Sequence, residues 1–202
     1  MRKVLAHFRK NDPKIYFYLK TDPEIERLKP KDRKDYFSRL CVDIIFQQIS
    51  GKAGDAILAR FRSLFPKKRI SAKRLLSLEE PKIRAAGISP QKLKYLKSLA
   101  EHFCEKKIRT EDFDKMTDEE VIAELVRIKG IGRWTAEMFL MSTLGRENVF
   151  SSGDLGLRKG LMKVYGFGEY PPEKKVEKIT SVWAPYKTYG CLALWRSNDM
   201  AD

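Results

Sequence analysis

Leu125-Val126-Arg127-Ile128-Lys129-Gly130-Ile131-Gly132-Arg133-Trp134-Thr135-Ala136 decides the fold. Val121, Ile122, Leu125 and Ile128 recur at helical spacing, the run stops at Gly130, Ile131 plugs inward, and a second helix begins after Gly132. Two helices joined by Gly-Ile-Gly make a hairpin whose backbone amides face outward. Amides at a helix start, together with the positive end of the helix dipole, attract anions, so a DNA phosphate fits there. Arg133 beside the turn adds charge to a contact that positions a duplex without reading its sequence. Further on, Val149-Phe150-Ser151-Ser152-Gly153-Asp154 brings a single acid to the start of another apolar-periodic run. An ordinary helix–turn–helix corner accounts for Gly-x-Gly equally well, and a simple cap on the helix from Leu155 accounts for Asp154.

Charge narrows the choice. The chain of 202 residues holds 41 Lys and Arg against 27 Asp and Glu, a net charge of +14 and a pI near 9.7. That excess favours a polyanionic partner, bound largely through salt-sensitive phosphate contacts. Because the basic residues are spread along the chain (Lys67, Lys68, Arg69, then Lys92, Lys94, Lys97), part of them must be solvated helix surface. With 43% apolar residues, including 11 Phe, 8 Tyr and 3 Trp, the chain can bury a substantial core. No apolar run approaches the ~18 residues of a membrane span, and Met1 to Lys20 lacks a secretory leader's apolar segment. Cys41, Cys104 and Cys191 are odd in number and far apart, which gives neither a disulfide framework nor a zinc site.

Helical periods dominate: Ile15 to Leu19, Tyr36 to Ile49, Ala53 to Phe65, Ala72 to Ser77, Pro81 to Ala86, Gln91 to Cys104, Asp118 to Ile128, Trp134 to Leu144, Leu155 to Tyr165, Pro172 to Trp183 and Pro185 to Arg196. The fold class is all-α. Thr21-Asp22-Pro23, Gly87-Ile88-Ser89-Pro90 and Thr117-Asp118-Glu119-Glu120 each set a capping residue or proline before such a run. No linker separates independent domains, so residues 1–202 read as a single core. Tyr36 to Phe46 is apolar almost all round, as a central helix would be, and it ends in Gln47-Gln48-Ile49-Ser50-Gly51. Those glutamines either cap the helix or reach base edges.

Gln47 to Ala53, Gly87 to Leu96, Gly130 to Ala136, Phe150 to Asp154 and Trp183 to Arg196 stand in the order seen in helix-hairpin-helix (HhH-GPD) DNA glycosylases, and about residues 10 to 196 resemble the 3-methyladenine DNA glycosylase II branch. The resemblance implies a two-lobed fold with a cleft between the lobes. One lobe is formed by residues about 50–145, and the N-terminal and C-terminal segments together form the other. It implies that Asp154 is the catalytic carboxylate, and that Trp134, Trp195 and Met138 line the base pocket, Met138 standing where the best-known relative has an aromatic residue. Gln48 matches the wedge that fills the gap left by a flipped nucleotide, a leucine in that relative. Gln47, Gln48, Gly130, Ile131, Gly132, Arg133 and Thr135 are the implied DNA-binding residues. The carbonyls of Val126, Ile128 and Ile131 match places where relatives hold a monovalent cation.

Trp134 stands where strand-nicking relatives carry a lysine nucleophile, which implies a monofunctional enzyme that leaves an abasic site. With only Cys191 near the C-terminus, no iron–sulfur cluster is expected. The implied protein is a monomer acting on double-stranded DNA with a damaged base, first an alkylated purine, in a prokaryotic cytoplasm at the nucleoid or in a eukaryotic nucleus. Hairpin and charge alone suit two alternatives: a non-enzymatic helix-hairpin-helix protein that binds distorted DNA, and a glycosylase for another damaged base.

Overall fold

The computed structural model describes residues 1–21, 31–49 and 51–200. Its described residues form α-helices and short 3₁₀ turns, with no strand among them. The first six helices are α1 (Arg2–Asn11), α2 (Pro13–Lys20), α3 (Tyr36–Phe46), α4 (Gly51–Ser63), α5 (Ala72–Ser77) and α6 (Glu80–Ala85). They are followed by α7 (Pro90–Cys104), α8 (Asp118–Val126), α9 (Arg133–Ser142), α10 (Leu155–Tyr165), α11 (Glu173–Ser181) and α12 (Lys187–Asp199). No described helix is long and apolar enough to cross a membrane.

Two of the expected start signals act as caps. Ser89 accepts the Lys92 amide at the head of α7, and Thr117 and Glu120 form a reciprocal capping box on α8. The third, Thr21-Asp22-Pro23, lies outside the described residues beyond Thr21, as does Ser50 of the glutamine motif. α1 is absent from the periods read in the sequence. Its stripe is only Val4 and Phe8, both buried, among Arg2, Lys3, Arg9 and Lys10. α3 ends at Phe46, short of the expected Ile49, because Gln47 turns extended (φ −53°, ψ 127°) and Gln48 turns left-handed (φ 57°).

The chain divides into two compact units. Lys31–Phe139 is built around α7, which packs on α3 and α5. Phe61, Phe113 and Phe139 are fully buried there; Tyr36 stacks on Phe113 at 5.9 Å and meets Phe139 edge-on at 5.4 Å. Each such ring removed from water contributes about 1.5–3 kcal/mol. The unit takes in α3, whereas the lobe implied by resemblance began near residue 50. The other unit joins the described residues of Met1–Pro30 to those of Leu140–Asp202, and the boundary falls inside α9. Here α12 packs on α10 and α2, and Gly160 lets α10 approach the Leu194 carbonyl where a Cβ would overlap it. Buried Asp12 ties this unit together: it caps α2 through the Ile15 amide (3.2 Å) and accepts from Trp183 Nε1 (2.8 Å) and the Tyr165 hydroxyl.

Candidate active site and nucleic-acid interface

In the Lys31–Phe139 unit the hairpin closes as the sequence predicts. Ile128 N donates to Leu125 O (3.1 Å) and Ile131 N to Ile128 O (3.0 Å), while Ile131 and Ile128 are buried and Val126 is exposed. Gly130 takes φ 93°, and the Tyr95 ring lies where its Cβ would be. Glycine is therefore required there by backbone and by space. Gly132 is different. It precedes α9 and accepts the Ala136 amide (3.0 Å), its φ lies outside the left-handed region, and an added Cβ would meet nothing within 4 Å.

Around that turn three of the residues implied to bind DNA have partners within the chain. Thr135 is buried, and its hydroxyl accepts from Gln47 Nε2 at 3.2 Å, so its side chain is an internal tie. Gln47 also donates to Gly130 O at 2.9 Å and so joins the end of α3 to the hairpin. The Arg133 guanidinium donates to both oxygens of Glu119 and, through Nε, to Glu137 at 2.9 Å. That bond from Arg133 holds the Glu119 carboxyl below the usual carboxylate range. Gln48 is exposed in its left-handed conformation.

Trp134, in the first turn of α9, keeps 42% of its surface exposed, and Met138 is half-buried one turn later. An indole that large left in the open is suited to stacking. A second acid belongs to this unit. Burial raises the Asp43 carboxyl to about 7, against a smaller opposing effect of Arg39, and its Oδ2 is buried with no hydrogen-bond partner among the described residues.

In the other unit Asp154 is the N-cap of α10 and is 8% exposed. Its Oδ1 accepts the Leu157 amide at 2.7 Å and the Trp195 indole N–H at 2.9 Å. The capping reading of the sequence is thus correct as far as it goes, and Trp195 on α12 adds a donor that a plain cap does not need. Gly156 makes room for the pair: a Cβ there would come within 2.9 Å of Trp195 Cδ1 and 3.0 Å of Asp154 Oδ1. Sequence reading gave no individual site role to Gly156, Lys92, Tyr95 or Glu119. Each acts through a partner distant in the chain, and only the two-residue spacing of Gly156 from Asp154 hinted at one of them.

A glycine hairpin open to a phosphate and, on another helix, a carboxylate fixed by an indole define a DNA-binding helix-hairpin-helix protein with a candidate hydrolytic acid. The sequence profile of HhH-GPD superfamily base excision DNA repair proteins matches residues 41–185, and the chain belongs to that superfamily. It is 33% identical over 177 residues to DNA-3-methyladenine glycosylase 1 of Schizosaccharomyces pombe, covering 85% of this chain and 76% of that one. It is 35% identical to a DNA-3-methyladenine glycosylase of Saccharomyces cerevisiae, covering 94% and 77%. The fold matches the solved structure of the Schizosaccharomyces pombe 3-methyladenine DNA glycosylase in complex with abasic DNA, with a TM-score of 0.81, 29% identity and 98% of each chain covered.

Proposed function

We propose that the protein is a monofunctional DNA glycosylase that removes alkylated purines, 3-methyladenine first and then 7-methylguanine and ethenoadenine, from double-stranded DNA and leaves an abasic site. The observation that carries this reading is Asp154, held at the head of α10 by the Leu157 amide and the Trp195 indole, in a chain of this superfamily. As the bond from C1′ to the purine nitrogen breaks, its electron pair leaves with the base and positive charge grows on the sugar. A fixed carboxylate stabilises that charge, and a water oxygen then bonds to C1′ while its proton passes to the carboxylate or to solvent.

As nucleotides 3-methyladenine and 7-methylguanine already carry positive charge, so each departs as a neutral base without prior protonation, whereas ethenoadenine is neutral and needs a proton as it leaves. Aromatic faces hold such a base well, which is the role assigned to Trp134 and Trp195, with Met138 as a softer wall. Trp134 stands two residues after Gly132 and offers no amine, so no Schiff base forms at that position and strand scission is left to other enzymes.

The start of α9 receives a phosphate. Nothing in the described protein requires glycine at position 132, and close approach by a ligand backbone accounts for it. The carbonyls of Val126, Ile128 and Ile131 are neutral oxygen donors at the same turn; they would hold an alkali cation, which would supply positive charge near the phosphate. Among the described residues no three His, Cys, Asp or Glu side chains gather to hold a metal. The protein acts as a monomer wherever the genome lies, in the nucleus or at the nucleoid.

The test is to incubate the protein with methylated duplex DNA, measure free bases by chromatography, and treat a parallel aliquot with hot alkali. The account expects 3-methyladenine in the supernatant and strand breaks only after alkali. Breaks without alkali would refute the monofunctional assignment, and abasic-DNA binding without any base release would favour a non-enzymatic binding protein.

A further inference from the structure

Lys92 occupies an unfavourable place. It lies in the first turn of α7, at the positive end of that helix dipole, and burial pushes its ammonium below the usual lysine range. What it gains is at the opposite end of another helix: Nζ donates to Ile45 O at 2.7 Å and to Gln47 O at 2.8 Å. These carbonyls flank the point where α3 stops, so the charge sits on the negative end of the α3 dipole and holds the Ile45–Phe46 and Gln47–Gln48 peptide planes.

The next residue is Gln48, which holds a left-handed φ of 57° without being a glycine and points its chain into an exposed position. From the hairpin side the same loop is held by Gln47, through Gly130 O and Thr135 Oγ1. A cavity of about 340 Å³ adjoins the loop, lined in part by Gln48, Ser89, Gln91, Lys92, Tyr95 and Gly130. The residue just before Gln48 is thus held twice, at its carbonyl by Lys92 and through its own side chain by the hairpin.

We propose that Lys92 is a positioning residue that locks the end of α3 so that Gln48 is presented to the duplex in one fixed conformation, and that its charge serves the α3 carbonyls and not a DNA phosphate. The inference rests on the reading of Gln48 as the side chain that fills the gap beside a flipped nucleotide. A compact ammonium with three rotatable donors suits two carbonyls on one turn better than a flat guanidinium does.

The experiment is single-turnover base release, at saturating enzyme, from a duplex carrying one 7-methylguanine, with 2-aminopurine beside the lesion to report unstacking. The proteins are wild type, Lys92→Met, Gln48→Ala and the double variant, each also measured for affinity to abasic duplex across a salt series. Lys92→Met should lower the release rate and the 2-aminopurine signal on the order of tenfold. The slope of log affinity against log salt should stay unchanged, and the double variant should be no slower than the slower single one.

A slope smaller by about one with an intact saturated rate would make Lys92 a phosphate contact and overturn the proposal. Multiplying losses in the double variant would overturn it too, by making the two residues independent. If Gln48→Ala itself releases base and unstacks DNA like wild type, the reading of Gln48 falls and the inference with it. That outcome is distinct from a Gln48 effect that Lys92→Met fails to reproduce. Should Lys92→Met not fold, Lys92→Gln removes the charge while keeping an amide donor and is read on the same two axes.

Discussion

The starts of α9 and α10 solve the same problem in opposite ways. Both leave backbone amides without helical partners. At α10 the protein supplies its own anion: Asp154 caps the helix and is held by Trp195. At α9 the capping position is Gly132, which has no side chain to offer, and the adjacent Arg133 donates to Glu119 and Glu137. A filled helix start keeps a carboxylate in place for chemistry. An unfilled one leaves room for an anion brought from outside, and under the proposed function the two divide into a catalytic and a docking role.

Glycine substitutions can break this contrast. Gly130→Ala should have the largest effect on stability, a loss on the order of 3 kcal/mol in denaturant unfolding, because φ 93° and the Tyr95 ring both exclude a Cβ. Beside the filled start, Gly156→Ala should lower single-turnover base release about a hundredfold. The new methyl group displaces Trp195 or Asp154, and the affinity for abasic duplex should change far less. An alanine enzyme as fast as wild type would show that the Trp195–Asp154 bond does not matter.

The two acids of the account differ as the two helix starts do. Asp154 is met by N–H donors, whereas Asp43 is half-buried with its Oδ2 buried and unbonded among the described residues. Its folded value, about 7, lies above the ordinary 3.8, so the folded state holds the extra proton in between. Stability from this group is full below about pH 4, falls as pH rises to about 7, and is flat beyond. Asp43→Asn should remove that slope and, relative to wild type, gain on the order of 2–4 kcal/mol between pH 4 and pH 8, measured by unfolding at each pH. The smallest effect belongs to Gly132→Ala. Its melting should match wild type, while affinity for abasic duplex falls a few-fold as the methyl group meets the phosphate, roughly 1 kcal/mol or less. Equal affinity would mean that no phosphate approaches that amide.

The hairpin was legible because its signals are local: Val121, Leu125 and Ile128 set the stripe, Gly130 the left-handed turn, Ile131 the plug, and Thr117 with Glu120 the start of α8. α1 was missed because two buried apolar residues among four basic ones give little period. Asp154 was legible as a cap, and its catalytic meaning came from resemblance alone. The ties that separate site from surface were not legible. Gln47 to Gly130, Lys92 to Ile45, Arg133 to Glu119 and Trp195 to Asp154 each join residues far apart in sequence, and the residue types alone are equally at home in solvent. Arg133 and Thr135 were read as facing outward, and the fold also gives each a partner within the chain.

The central claim is that Asp154 does chemistry beyond capping α10, and asparagine separates the two roles because it caps a helix as well as aspartate does. The decisive measurement is single-turnover release of 3-methyladenine by wild type and Asp154→Asn, alongside their melting temperatures and their affinity for abasic duplex. The account predicts unchanged melting and comparable affinity with release slowed by at least ~10²-fold. Equal release by the two proteins would contradict it and leave Asp154 as a helix cap.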